Sequence, residues 1–309
     1  MPVTLRAEYV GSLALKELHN GNPEIAGQVV NTFPNSFYLK TSTGDLVFVT
    51  NRSVRSPITI NLDAASNLEG IKPLELLYAH GEEILIGADS VIDLSEASTY
   101  QSQLAHPSRL GSEFAQIGRV LHVASFILSI IDVSQSAMDP HAIAHAGIVD
   151  FVSDGIIPLR RSGMDRRFQQ AALKIVGLGA GFTPSGDDVL GGFLLAYNSF
   201  AESIGREPIL LESQLLEEKT SWISAKLLDY MQNRVVDEQL HTLTDSVVSE
   251  NEDATVMAFE TLLPRGHTSG IDIAVGTILA LSLIRDIALG KEETESIASE
   301  LRLGSLAWP

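Results

Sequence analysis

A glycine-rich polar stretch that leads into an apolar run is the feature that most constrains how this chain can fold. Residues 177–188 read Gly-Leu-Gly-Ala-Gly-Phe-Thr-Pro-Ser-Gly-Asp-Asp, and residues 189–196 read Val-Leu-Gly-Gly-Phe-Leu-Leu-Ala. The apolar run predicts a buried helix, so the polar groups lie where that helix begins. Glycines let the backbone approach a ligand closely, and the first N–H groups of a helix have no partner within it. The stretch therefore predicts a site for phosphate or carboxylate at a helix N-terminus.

The groups expected to bind this anion are glycine backbone and hydroxyl groups. They belong to Gly179, Gly181, Thr183, Ser185 and Gly186. The neighbouring carboxylates of Asp187 and Asp188 argue the other way, because they favour a helix start but repel a bound anion. Their alternative roles are to hold a cation, to orient a positively charged group or to polarise an amide N–H.

A second stretch repeats the pattern. Residues 269–280 align without a gap with residues 185–196, and Ser, Gly, Asp, Gly, Leu and Ala match at the same offsets. Gly-His-Thr at 266–268 precedes it as Gly-Phe-Thr at 181–183 precedes the first. Two equivalent helix starts that face one site are predicted, unless the match is coincidence or only close helix packing. The second set of predicted site residues is Thr268, Ser269, Gly270 and Asp272.

Histidines and arginines provide further candidates. His267, inside the second stretch, is predicted either to polarise a carbonyl or act as general acid or base, or to cap a helix from its loop. His141 and His145 have the i, i+4 spacing of zinc ligands, but no third ligand is evident, which favours a structural helix. Four arginines are candidates for binding an anion through two hydrogen bonds each. The alternative is that they lie in an exposed, solvated loop. These are Arg160, Arg161, Arg166 and Arg167.

The composition excludes several classes of function. A formal charge of −18 over 309 residues speaks against nucleic acid or an anionic membrane as partner. The absence of cysteine excludes disulfides, thiolate metal sites and a cysteine nucleophile. No apolar run has membrane-spanning length, and residues 1–18 lack a secretory leader pattern. We therefore expect a cytoplasmic protein.

The first hundred residues have the pattern of short strands and turns. Predicted strands cover residues 27–32, 36–41, 45–50, 57–62, 83–87 and 91–94, and Ser-Thr-Gly at 42–44 predicts a hairpin turn. Many short strands predict a small barrel or a sandwich. The segment 5–20 fits an initial strand or an initial helix.

Helical periodicity replaces the strand pattern after a polar segment at residues 95–107. Predicted helices cover residues 108–136, 139–151, 166–176, a helix from 187, one or two at 208–229, 237–249, 253–263, a helix from the second stretch to 289, and 292–301. The fold class is therefore α+β. We expect a β-rich domain at 1–105 and an all-helical domain at 106–309 that carries both glycine stretches.

The two glycine stretches resemble the paired signatures of the AllH-type subunit family of oxamate carbamoyltransferase. The resemblance extends to the order and size of most of the chain, and Ala180 and Phe182 stand where the family commonly has proline and leucine. It implies an enzyme of allantoin and purine-nitrogen catabolism that moves a carbamoyl group between oxamate and phosphate and yields carbamoyl phosphate. It also implies a complex of different subunits.

Residue roles follow from combining the resemblance with the two stretches. The glycines and hydroxyls would bind the anion, the three aspartates would bind the amide or amino end, and His267 would polarise the carbonyl. Two alternatives stay open. One is a small-anion-binding or assembly subunit without catalysis of its own. The other is a hydrolase that uses Asp187, Asp188 and Asp272 to hold Mg²⁺; no other cofactor follows from the sequence.

Overall fold

The structure is a computed structural model that describes residues 2–19, 25–102, 104, 140–162, 166–249 and 251–290. The chain forms two compact units. The barrel unit comprises residues 1–103 and 235–238, and the helical unit comprises residues 104–234 and 239–309. None of the helices in the described ranges combines the length and the apolar character that a membrane crossing requires.

The barrel unit is built, in its described part, from short strands and one helix. The elements are β1 Val3–Gly11, α1 Ser12–His19, β2 Gly27–Phe33, β3 Ser36–Thr41, β4 Leu46–Thr50, β5 Thr59–Leu62, β6 Leu76–His80, β7 Glu83–Ile86, β8 Ser90–Asp93 and β9 Ser98–Tyr100. The strands pair in the order β5-β4-β3-β2-β6-β7-β8-β1, and β1 pairs back with β5. This last pairing closes eight strands into a barrel, while β9 extends the sheet along the end of β1.

One-sided burial explains why these strands close. Alternate residues of β1 to β8 point inward, among them Val29, Phe37, Leu39, Ile60 and Ile92, and all five are fully buried. A register shift in β1 between Ala7 and Tyr9 accompanies its pairing with β5, because bulges increase strand twist and curvature. The prediction of a small barrel or sandwich is thus resolved as a barrel.

The observed elements differ from the predicted strands at three places. The segment 5–20 contains both predicted alternatives, since β1 ends at Gly11 and α1 begins at Ser12. β6 was not predicted, because Leu76 and His80 are exposed and alternation is lost. β9 falls in the predicted polar segment, because its three residues are exposed or half-buried and it is placed by backbone pairing with the end of β1.

The two glycine stretches lie at the starts of the two longest helices in the described part of the helical unit. The elements are α2 Pro140–Phe151, a π-helical turn Val152–Ile156, α3 Ile157–Ser162, α4 Arg166–Ile175, α5 Ser185–Phe200, a 3₁₀ turn Glu202–Ile204, α6 Ser213–Glu217, α7 Trp222–Gln232, α8 Glu238–Val248, α9 Glu252–Leu262 and α10 Ser269–Ala288. The predicted helices at 108–136 and 292–301 lie outside the described residues. Every residue of α5 is buried, which makes it the central helix of the unit.

Candidate functional site

Helices α5 and α10 pack backbone to backbone close to their starts. A β-carbon at Gly192 would overlap the carbonyl oxygen of Ile273, and one at Gly276 would overlap that of Val189. Val189 and Gly192 correspond to Ile273 and Gly276 in the aligned repeat. The contact is therefore reciprocal, as expected for two equivalent helices related by a local two-fold axis. Glycine at both positions is what allows the two helix starts to come together.

Side chains from both glycine stretches meet next to this crossing. Thr183 Oγ1 donates to Asp188 Oδ2 at 2.9 Å and lies 3.1 Å from Ser269 Oγ. Asp188 is 8% exposed, and Thr183 and Ser269 are half-buried. Residues 86 positions apart thus form one polar cluster, consisting of Thr183, Asp188 and Ser269.

Asp188 is the titratable centre of this cluster. Burial raises the pKa of its carboxyl from 3.8 to about 7, against the hydrogen bonds from Ser269 and Thr183, which lower it. The negative charge of Asp272 raises the pKa further, and the positive charge of Arg265 lowers it. A carboxyl group in this range can both accept and release a proton at neutral pH.

The shifted pKa of Asp188 predicts a pH-dependent stability. Because its folded pKa lies above the unfolded value, the folded state binds more protons between pH 3.8 and about 7. Stability therefore falls as pH rises through this window. Asp188→Asn should remove the effect, so that its unfolding free energy relative to wild type rises by ~3 kcal/mol between pH 4.5 and pH 7.5. Urea denaturation at both pH values measures this, and a difference between the two proteins that does not change with pH would contradict it.

Asp187, the neighbouring carboxylate, belongs to a different network. It is 2% exposed. Its Oδ1 accepts from the N–H of Gly177 at 2.7 Å, and its Oδ2 accepts from Thr220 Oγ1 at 2.5 Å and Ser224 Oγ at 2.6 Å. Burial raises the pKa of Asp187, and these three donors oppose that rise. The sequence groups both aspartates as site carboxylates, whereas Asp187 ties the glycine loop to the start of α7.

The loop before α5 adopts the backbone that its glycines predict. Gly177, Gly179 and Gly181 have φ of +80°, +110° and +109°, in the region that side chains disfavour. Gly179 lies directly over Ser185, since a β-carbon there would be 2.8 Å from Ser185 N and 3.3 Å from Ser185 Oγ. Ser185 is 4% exposed, and its hydroxyl has no hydrogen-bond partner among the described residues. A buried hydroxyl left without a partner at a helix start fits a ligand-binding donor.

Two predicted backbone donors are used within the protein. The N–H of Gly186 donates to Leu178 O at 2.8 Å, and that of Gly270 donates to Arg265 O at 3.0 Å. A β-carbon at either position would overlap a carbonyl oxygen of the preceding helix, that of Ile175 or Leu262. Close packing therefore requires glycine at both positions. Their role as anion donors stays a prediction, and it would require these N–H groups to exchange partners.

The remaining residues of the second stretch are more open. His267 is exposed, and Thr268 begins α10 as its N-cap without a side-chain capping bond. Asp272 is half-buried near Asp188. Sequence reasoning missed Arg265, whose charge acts on Asp188, because a single arginine before a glycine carries no pattern.

The predicted arginines are not gathered at the glycine stretches. Arg160 is buried and its Nη1 lies 3.7 Å from Asp286 Oδ2, in the last turn of α10 rather than the first. Arg166 and Arg167 are exposed at the start of α4. The side chains of Arg161, His141 and His145 lie outside the described part of the chain. The side chains of this set that the structure describes are those of Arg160, Arg166 and Arg167. They do not belong to the Thr183–Asp188–Ser269 cluster.

The three aspartates do not form a cation cage. Asp188 and Asp272 approach each other, but Asp187 is held by Gly177, Thr220 and Ser224. Within the described ranges no group of three or more His, Cys, Asp or Glu side chains is placed to hold a metal ion. For the alternative of an Mg²⁺-dependent hydrolase, the described residues thus bring together Asp188 and Asp272 but hold Asp187 in a separate network.

One protein-family model matches the part of the chain that contains both glycine stretches. A family model described as oxamate carbamoyltransferase subunit AllH matches residues 175–281, which include both glycine stretches and the polar cluster. The resemblance recognised from the two stretches is confirmed over this segment. No curated protein and no solved structure matches the chain.

Proposed function

We propose that this chain is a subunit of a carbamoyltransferase that acts between oxamate and phosphate, and that the starts of α5 and α10 hold the reacting groups. The family match supports the coarser part, a subunit of oxamate carbamoyltransferase, and the word subunit implies other protein chains. The observation that carries the finer part is the cluster of Thr183, Asp188 and Ser269. It joins the two matched motifs around a buried carboxyl.

The transfer chemistry requires one proton to move. When carbamoyl phosphate forms, a phosphate oxygen bonds to the carbamoyl carbon and the bond from that carbon to the oxamate nitrogen breaks. The proton of the phosphate hydroxyl passes to the departing nitrogen. Asp188, whose pKa is about 7, is suited to accept this proton from the phosphate hydroxyl and to donate it to the departing nitrogen.

Binding and orientation are assigned to the residues around Asp188. The start of α5 and the buried hydroxyl of Ser185 bind phosphate, because a helix N-terminus and an unpartnered donor both favour an anion. Asp272 accepts from the amide N–H groups, and His267, from its exposed loop, polarises the carbonyl. Thr183 and Ser269 fix the carboxyl of Asp188 between the two helix starts.

A ligand-binding or assembly subunit is the second candidate. It is favoured by two observations: the hydroxyl of Ser185 lies beneath Gly179, and His267 is exposed. In this case the chain holds the anion and another subunit supplies the reacting groups. Turnover of the reconstituted complex separates the two functions, because Asp188→Asn should lower kcat by at least about a hundred-fold only if Asp188 moves the proton.

Replacing Ser185 tests the anion site itself. We expect Ser185→Ala to weaken phosphate binding to the purified chain by about ten-fold, the loss of one hydrogen bond to a charged group. Calorimetric titration measures the affinity. Ser199→Ala is the matched control, because Ser199 is a buried serine of the same helix whose hydroxyl donates to Leu195 O at 2.8 Å. Equal losses in both variants, or no saturable binding of phosphate to wild type, would refute the site.

A further inference from the structure

A pocket lies in the barrel unit. Its volume is about 330 Å³, within the range of small-molecule sites. The lining residues are Glu8, Tyr9, Asn51, Arg52, Ser53, Arg55, Asn61, Leu62, Ala64 and Glu238. All of them belong to the barrel unit, which includes Glu238 as the first residue of α8, and neither glycine stretch contributes. The pocket is therefore distinct from the site proposed above.

The loop that forms one wall of this pocket is held by buried polar side chains. Asn61 is 3% exposed, and its Nδ2 donates to the carbonyl oxygens of Arg52 at 2.9 Å and Val54 at 2.8 Å. Thr50 Oγ1 accepts from the N–H of Arg52 at 3.1 Å. Asn51 Nδ2 donates to the carbonyl oxygen of Ser66 at 3.0 Å. Such a preformed loop loses little conformational freedom when a ligand binds.

Arg55 is a fixed part of the wall. Its Nε and Nη2 lie 2.7 Å and 2.6 Å from Oε2 of Glu238. Its guanidinium carbon lies 5.1 Å from the ring centre of Tyr9 and 5.6 Å from that of Tyr100. The hydrogen bond and charge of Glu238 raise the pKa of Arg55. The charges of Arg55 and Glu238 thus neutralise each other. The remaining charged side chains of the pocket, Arg52 and Glu8, can then act on a ligand.

Those two charges are of opposite sign and exposed. Arg52 and Glu8 both line the pocket, and within the described ranges neither side chain forms an ion pair. A guanidinium group suits a carboxylate, which it can bind through two parallel hydrogen bonds. A carboxylate such as that of Glu8 suits an N–H donor. The arrangement complements a molecule with an anionic end and an N–H end.

We infer that this pocket binds a small carboxylic acid that also carries an amino, amide or ureido N–H group, with the carboxylate at Arg52 and the N–H group at Glu8. Asn51 and Ser53 offer further hydrogen bonds along the same wall. Since the ligand would be held by the barrel unit, the inference does not depend on the carbamoyl transfer proposed for the helical unit.

Calorimetric titration of the full chain with N-carbamoylglycine, glycine and acetate tests this assignment. We expect one of the two N–H-bearing acids to bind and Arg52→Ala to weaken it by about ten-fold or more. Glu8→Gln should weaken the same acid but leave acetate unchanged. Arg6→Ala is the control, because Arg6 is an exposed arginine of the same strand as Glu8, lies 4.0 Å from Glu96 and does not line the pocket.

A variant of the other site separates the two. Ser185→Ala should leave the binding of the N–H-bearing acid unchanged, whether or not phosphate binds near Ser185. Binding that is lost in Ser185→Ala and kept in Arg52→Ala would overturn the inference. So would the absence of saturable binding of both acids to wild type, or a loss in Arg6→Ala as large as in Arg52→Ala.

Discussion

Gly192→Ala is expected to destabilise the helical unit by about 3 kcal/mol, because the added methyl group has no space between two packed helix backbones. A β-carbon at this position overlaps the carbonyl oxygen of Ile273 and lies 2.9 Å from its carbonyl carbon. A backbone cannot move aside as the end of a side chain can. α5 and α10 must separate, and the Thr183–Asp188–Ser269 cluster must open with them. Urea denaturation followed by helical circular dichroism measures the loss.

The preceding residue provides a matched control for this prediction. Gly191→Ala introduces the same methyl group on the same helix, but there it meets Sδ of Met231 at 2.6 Å, at the end of a flexible side chain. Since alanine also favours a helix by about 1 kcal/mol over glycine, its net effect should be small. Gly276→Ala should resemble Gly192→Ala, because the contact is reciprocal. Similar stabilities of the Gly191 and Gly192 variants would contradict the packing described here.

Asp187→Ala should cost about 3–5 kcal/mol of unfolding free energy, because three buried donors lose their acceptor at roughly 1–3 kcal/mol each. The substitution leaves the N–H of Gly177 and the hydroxyls of Thr220 and Ser224 without their acceptor. Each unpaired buried donor is unfavourable. Because Gly177 is released, the loop over Ser185 should also lose its shape, and phosphate affinity should fall together with stability.

Two further variants distinguish this network from a general effect of charge. Glu217→Ala removes an exposed carboxylate at the end of α6 and should change stability by less than about 0.5 kcal/mol. Asp187→Asn keeps the shape and one acceptor oxygen, so its loss should be smaller than that of alanine. Stability of Asp187→Ala within about 1 kcal/mol of wild type would show that the three donors find other partners.

Much of the architecture follows from local patterns. The strand at 36–41 was predicted with its observed bounds, because Phe37 and Leu39 alternate with exposed or half-buried residues in a period of two. The helix predicted from residue 187 begins two residues earlier, at Ser185, directly after Pro184. β9 was not predicted as a strand, because it is placed by backbone pairing with β1 and its side chains show no alternation of apolar and polar residues.

The candidate site was predicted in composition but not in its division of roles. Asp187 and Asp188 are adjacent and identical, yet successive residues of a helix point about 100° apart. One carboxylate therefore faces Thr220 and Ser224, while the other faces Thr183 and Ser269. The stretch itself does not distinguish them, because Thr220, Ser224 and Ser269 are distant in the chain and only the fold brings each to one of the two carboxylates.

The sequence by itself determined an α+β chain, two equivalent glycine-led helix starts and the polar groups between them, because strand alternation, helix periodicity and helix-start residues act over a few neighbouring positions. Only the tertiary structure decided that β1 closes the barrel onto β5, that Gly186 and Gly270 pack against carbonyl oxygens of the preceding helices, and that Asp188 is the carboxyl whose pKa rises to about 7. These properties depend on which backbone atoms and charges approach one another through space. That proximity is set by the packing of whole elements.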